Sequence, residues 1–343
     1  MITAIISTYN HCNYLEGCIN AILQQGDLIT KIIIINDAST DSTEELLDKI
    51  KSVIPKLFII KNKQNIGAVA SFKIGLEYVD SEFFTLLAAD DILMPEWATC
   101  SLEAFRLSET ASVCLSNTYI KNEDTGLITC TNMPSFITNR YLSPKKFCDS
   151  VIKYGVWYSS NTALYRMEKY DENSFQSEIG PLNDRLMISA LGSKSGVVVV
   201  SKKLGCFYMR NQSMSGSVVS QNMSFKILTA FSYYLFSTNL FINIDKNFVV
   251  KIFISTFFVY INEHLNYVLK QYKNILVKMP DTWFAILNII LLNSIIIIFK
   301  VFSSLINKSL FQLLNELFCK SKLTDKEIIY FKEHEDKMKK NIY

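Results

Sequence analysis

Four consecutive isoleucines, Ile32 to Ile35, run directly into Asn36 and Asp37. β-Branched side chains are stiff at χ1 and crowd a helical turn, so this run favours a strand. A strand apolar on both faces belongs inside a parallel sheet. Similar runs recur in order: Thr3 to Ser7, Leu57 to Ile60 and Phe83 to Ala88. Helical stripes separate them. The first holds Tyr14, Leu15, Cys18, Ile19, Ile22 and Leu23; the second holds Leu46, Leu47, Ile50 and Val53; the third spans Val69 to Val79. Strands alternating with helices predict βαβ units, hence an α/β chain with a mostly parallel sheet flanked by helices.

Ligands of such sheets sit off the carboxyl ends of the strands. Three polar clusters follow strands here: Ser7 to Asn10, Asn36 to Asp41, and Asp90-Asp91. All three are expected to line one rim. Adjacent carboxylates repel, and a bound cation relieves that cost. Hard oxygen ligands favour Mg²⁺ or Mn²⁺ beside substrate phosphates. A plain surface turn ahead of Pro95 explains Asp90 and Asp91 equally well. Asp37 can accept a hydrogen bond from a nucleobase N–H or can cap a helix, though Ser39 or Asp41 can cap without it. Tyr9 can stack on a base or anchor its loop. Asn65-Ile66-Gly67 is a turn that lets backbone approach a ligand. Asp184 precedes a helical stripe of Leu186, Met187, Ala190 and Leu191, so the residues alone favour a role at the helix N-terminus.

Composition narrows the function. A chain of 343 residues suggests one large domain with an appendage. A net charge of +3, with no basic stripe in the first 220 residues, argues against nucleic acid as a partner. Eight scattered cysteines without a C-x-x-C pair read as reduced thiols in a cytosolic compartment. The three histidines are far apart, so metal chemistry would rest on carboxylates. No Lys or Arg precedes the first apolar run, which is read as a strand and not as a signal peptide.

The ordered set Ser7-Thr8-Tyr9-Asn10, Ile35-Asn36-Asp37-Ala38-Ser39-Thr40-Asp41, Asn65-x-Gly67 and Ala89-Asp90-Asp91 ahead of Pro95 resembles family 2 glycosyltransferases. The resemblance is strong over about the first 95 residues and fainter to about residue 216. It implies a GT-A fold, Rossmann-like, and an inverting transfer from a nucleotide-diphosphate sugar, commonly UDP-linked. Ser7, Tyr9, Asp37, Asn65 and Lys73 would hold the nucleotide. Asp90 matches the metal-binding second acid of the D-x-D motif, with Asp91 beside it, for Mn²⁺ or Mg²⁺. Asp184 matches the general base that deprotonates the acceptor hydroxyl. The implied acceptor is a glycan or a lipid-linked carrier, as in surface polysaccharide or lipopolysaccharide synthesis.

The sequence departs from that pattern in three places. Ala88 stands where the first acid falls. Phe72 stands where Arg is common. No His follows Tyr208-Met209-Arg210, so Arg210 or Gln212 is left to meet the diphosphate. A nucleotidyltransferase usually carries a glycine-rich loop after its first strand, and none precedes Gly17 here. A catalytically degenerate transferase acting as a membrane-bound scaffold is the other alternative, to which Ala88 lends weight.

The division expected is a transferase domain over 1–219 and a helical region over 220–343. Ser224 to Leu240, Phe248 to Tyr272 and Thr282 to Ile306 read as helices. Thr282 to Phe299 is uncharged and, at about 1.5 Å per residue, nearly spans a bilayer, but Asn288, Asn293 and Ser294 interrupt it. From Lys300 the pattern is basic and amphipathic, suited either to an anionic membrane surface or to packing on the catalytic domain. The expected location is cytoplasmic, peripheral on the inner face of the cell membrane.

Overall fold

The computed structural model describes residues 1–131, 133–134, 139–210 and 223–256. Its first quarter holds strands β1 (Ile2–Thr8), β2 (Ile29–Asn36), β3 (Leu57–Lys61) and β4 (Phe83–Ala88). Helices α1 (Cys12–Leu23), α2 (Thr43–Lys51) and α3 (Ala68–Leu76) connect them. These strands pair in parallel in the order β3-β2-β1-β4. Every residue of β1 is buried. The isoleucine run divides with a period of two, as a pleat requires. Ile32 and Ile34 join Leu15, Ile19 and Leu47 on one face; Ile33 and Ile35 join Ile5 and Leu76 on the other.

The second half is mixed. It comprises β5 (Ile92–Leu93), α4 (Trp97–Phe105), β6 (Val113–Asn122), β7 (Ile128–Cys130), β8 (Arg140–Leu142), α5 (Pro144–Tyr154), β9 (Leu164–Arg166), α6 (Asn183–Ser195) and β10 (Val197–Met209). Short β9 lies antiparallel between β4 and β6 and joins the two halves into one sheet. β10 runs parallel to β6 with two register shifts, and pairs antiparallel with β5 and β8 at separate stretches. The alternation in sequence reveals the first four strands but gives no sign of this three-residue insertion.

Helix α7 (Met223–Phe236) and a further helical stretch over 246–256 lie against the same core. Phe231, Leu235, Phe248 and Ile252 are buried with Phe147, Leu186 and Met187. The Phe147 and Phe248 rings are 5.9 Å apart. Arg185 of α6 donates to Thr256 Oγ1 at 2.9 Å. The expected division at 219/220 falls outside the described residues, as do the uncharged 282–299 segment and the amphipathic stretch beyond it. Among the described residues no helix is long and apolar enough to cross a membrane.

Helix α3 sits unusually close to the sheet. A Cβ at Gly75 would lie 2.4 Å from Ile5 Cγ2 and 2.9 Å from Ile35 Cδ1. Gly75→Ala would gain up to about 1 kcal/mol of helix propensity but overpack a dense core at about 1–3 kcal/mol. Net destabilisation is expected, seen as a lower urea midpoint with unchanged slope.

Candidate functional site

Register brings the three polar clusters together. Thr8 of β1 lies opposite Asn36 of β2, and Ser7 lies opposite Ala88 of β4. The chain must turn sharply after both β1 and β2, and Asn10 (φ 56°) and Ala38 (φ 59°) take left-handed backbone there. Asn tolerates that region; Ala does not without strain. Asn10 then stitches the two loops. Its Oδ1 accepts from the Thr40 N–H at 2.7 Å, and its own N–H donates to Ser39 Oγ at 3.0 Å. Asp41 is structural, accepting from the Thr43 N–H at 3.0 Å and the Cys12 N–H at 3.1 Å, which ties the starts of α1 and α2 together.

Asp37 is almost wholly buried and organises the Asn65-x-Gly67 turn. Its Oδ1 accepts from Asn62 Nδ2 at 2.8 Å and from the Ile66 N–H at 2.9 Å; its Oδ2 accepts from the Gly67 N–H at 2.8 Å. Gly67 adopts φ 88°, where a side chain is strained, so glycine is what lets this turn wrap the carboxylate. A carboxylate offers about four acceptor sites. One therefore remains on Asp37 for a donor in the cavity.

Asp90 and Asp91 follow β4 but differ in surroundings. Asp90 faces the cavity and is paired through Oδ2 with Arg210 Nη2. Arg210 also lies 3.4 Å from Glu123 Oε2, and its guanidinium carbon sits 4.0 Å from the centre of the Tyr14 ring. The Tyr14 hydroxyl donates to the same Glu123 oxygen at 3.3 Å. Asp91 is 5% exposed, and its Oδ1 has no hydrogen-bond partner among the described residues. Burial pushes its carboxyl well above the usual range, and the charges of Asp90 and Asp184 add to that, against a smaller opposing pull from Arg210. Burial lowers the His11 imidazole, with the Asp90 charge working against it.

A cavity of about 660 Å³ opens on these groups. Ser7, Tyr9, Asp37, Asn65 and Asp90 all line it, together with Asn10, His11, Tyr14, Gly67, Ala68, Phe72, Ala88 and Arg210. Asp91, Lys73 and Asp184 are not among the lining residues. Lys73 is displaced by geometry: consecutive helical residues point about 100° apart, and Phe72 takes the inward direction. Asp184 lies at the start of α6 and accepts from Ser160 Oγ at 2.5 Å. Its charge adds to the upward shift of Asp91, which likewise stands outside the lining. Burial raises the Asp184 carboxyl, offset by the Ser160 hydrogen bond and by Arg185.

Sequence reasoning does not single out Tyr14 or His11. Tyr14 falls on the apolar stripe of α1 and so reads as core. Its place just after the β1 end is the signal that could distinguish it.

Residues 3–173 match Glycosyl transferase family 2, and the chain belongs to that family. It is 27% identical over 176 residues to an uncharacterised glycosyltransferase of Haemophilus influenzae, covering 50% of this chain and 54% of that protein. It is 36% identical over 105 residues to the teichoic acid poly(glycerol phosphate) polymerase of Staphylococcus epidermidis, covering 30% of this chain and 15% of the polymerase. The chain thus spans about half, or less, of these curated relatives. The crystal structure of S. aureus TarS 1–349 in complex with UDP-GlcNAc shares the fold, with a TM-score of 0.53 at 16% identity over 81% of this chain and 76% of that one.

The site's fit to a metal can be tested on its donors. Among the described residues, no cluster of three or more His, Cys, Asp or Glu forms a cation cage. Mg²⁺ needs only one or two carboxylates when substrate phosphates and water supply the rest. Asp90, facing an open cavity, fits that reduced demand, on the condition that Arg210 yields its place.

Asp37→Ala should free the turn. Loss of a buried acceptor of three hydrogen bonds is expected to cost about 1–3 kcal/mol. Hydrogen exchange at the Ile66 and Gly67 amides should accelerate while β1 stays protected.

Proposed function

We propose that this protein is an inverting, hexosyltransferase-type enzyme that moves a sugar from a UDP-linked donor to a hydroxyl of a glycan or lipid-linked acceptor in surface polysaccharide or lipopolysaccharide assembly. The observation that carries it is one cavity lined by Ser7, Tyr9, Asp37 and Asn65 and by the Asp90–Arg210 pair. Family membership supports the reaction class. Relatives described as a teichoic acid polymerase and a chondroitin synthase support the acceptor class.

Tyr9, 40% exposed at the cavity, offers a ring for the base. The remaining acceptor site of Asp37 can take a base N–H. Arg210 offers a fixed positive charge to the diphosphate. Asp90 would hold Mn²⁺ or Mg²⁺; a bound metal would neutralise charge on the departing diphosphate. Asp184 takes the proton of the attacking acceptor hydroxyl, and burial makes it a stronger base than a solvated carboxylate. A single displacement inverts the anomeric carbon. Lys73 and Asp91 stand outside the cavity lining, so their assigned donor and metal roles rest on the family pattern alone. The scattered thiols favour the cytoplasm, and attachment to the inner membrane face would rest on residues after 281.

Thermal shift with nucleotides and nucleotide sugars, with and without Mn²⁺, tests the donor. UDP compounds should stabilise most, by about 2.7 kcal/mol at one hundred times Kd. Stabilisation by purine triphosphates alone would point to nucleotidyl transfer. An effect of UDP indifferent to Mn²⁺ would make Arg210 the lasting counter-ion of Asp90. Asp184→Asn should keep donor binding while transfer falls by about 10²-fold or more. Ala88 and the Asp90–Arg210 pair favour one competing reading, a degenerate scaffold. In that case donor hydrolysis is absent with Mn²⁺ present, and Asp90→Ala changes nothing.

A further inference from the structure

The segment before β9 carries a side chain that bonds directly to the Asp184 carboxylate. Ser160 Oγ donates to Asp184 Oδ2 at 2.5 Å. The segment is itself fixed. Asn161, 7% exposed, donates through Nδ2 to Thr118 Oγ1 at 2.9 Å, and Ser159 Oγ donates to Asn161 Oδ1 at 2.9 Å. The Ala163 N–H closes a turn on the Ser160 carbonyl at 2.9 Å, and Trp97 Nε1 holds the Thr162 carbonyl at 2.8 Å. Ser160 is therefore a donor presented from an anchored loop, not a side chain that drifts onto the acid.

We propose that Ser160 is a positioning residue that aims the Asp184 carboxylate, occupying Oδ2 so that Oδ1 is the oxygen left to receive the acceptor's proton. This rests on the reading of Asp184 as base. Asp184 is the second residue of α6, where an unrestrained carboxylate can turn toward the free N–H groups of the first helical turn. The Ser160 bond opposes that rotation and fixes Oδ2 on the Ser160 side. The bond also stabilises the ionised form. The other groups that interact with this carboxylate are Arg185, whose charge favours ionisation, and Asp91 and buried Tyr165, both of which feel the Asp184 charge.

The test is the pH dependence of kcat for the full chain with UDP-sugar, comparing Ser160→Ala, Ser160→Thr, Asp184→Asn and the Ser160→Ala/Asp184→Asn pair. Removing a bond that favours the carboxylate raises its pKa, so the rise in rate moves to higher pH. Ser160→Ala should lower kcat about tenfold, leave donor KM unchanged and shift the acidic limb up by about one pH unit. Ser160→Thr should restore both, and the double variant should be no worse than Asp184→Asn alone. An unmoved limb, or a raised donor KM with kcat intact, would overturn the role of Ser160. Retained transfer in Asp184→Asn would instead remove the base assignment. Should the alanine variant melt early, Ser160→Cys, similar in volume and a weak donor, is read by the same criteria.

Discussion

The site exists because three strand ends are held level. Parallel register between β1 and its neighbours β2 and β4 is enforced by side chains that are apolar on both faces. A slip of one residue would exchange the face carrying Ile5, Ile33 and Ile35 with the face carrying Ala4, Ile6, Ile32 and Ile34, and both cores would be lost. Hydrophobic packing thus sets where Ser7, Asp37 and Asp90 stand. Polar contacts then refine the placement within loops that packing alone leaves loose.

Charge is the second constraint. Asp91 feels the charges of both Asp90 and Asp184, and burial raises the carboxyls of Asp91 and Asp184. One positive side chain, Arg210, is drawn in to balance Asp90, braced by Tyr14 and Glu123. A protein that gathers acids in this way keeps a site ready for positive charge. Whether a guanidinium or a divalent ion fills it is a matter of competition, and the donor's own phosphates enter that competition.

Much of this is legible in the sequence. The first four strands follow from β-branched runs, and the rim follows from where polar residues interrupt them. Asp41 is readable as a cap because Thr43 begins a helix two residues on. Asp37 is readable as a rim acid after β2, but not as the hub of the 62–67 loop, since its donors include backbone amides that no side-chain pattern encodes. Lys73 is not in the cavity lining while its neighbour Phe72 is, because adjacent helical positions face different ways. The antiparallel β9 leaves no signal because three residues are too few to show a period. The pairing of Asp90 with Arg210 joins residues 120 positions apart, a separation that spacing cannot express.

That separation has a consequence for how the molecule comes into being. Chains emerge from the ribosome N-terminus first, and domains tend to fold in that order. A nascent chain that has emerged as far as residue 200 already carries β1 to α6, including every acid around the cavity, yet it lacks the arginine. The Asp90 pair is thus closed only by the residue that follows β10, and until then that carboxylate meets solvent cations or protons.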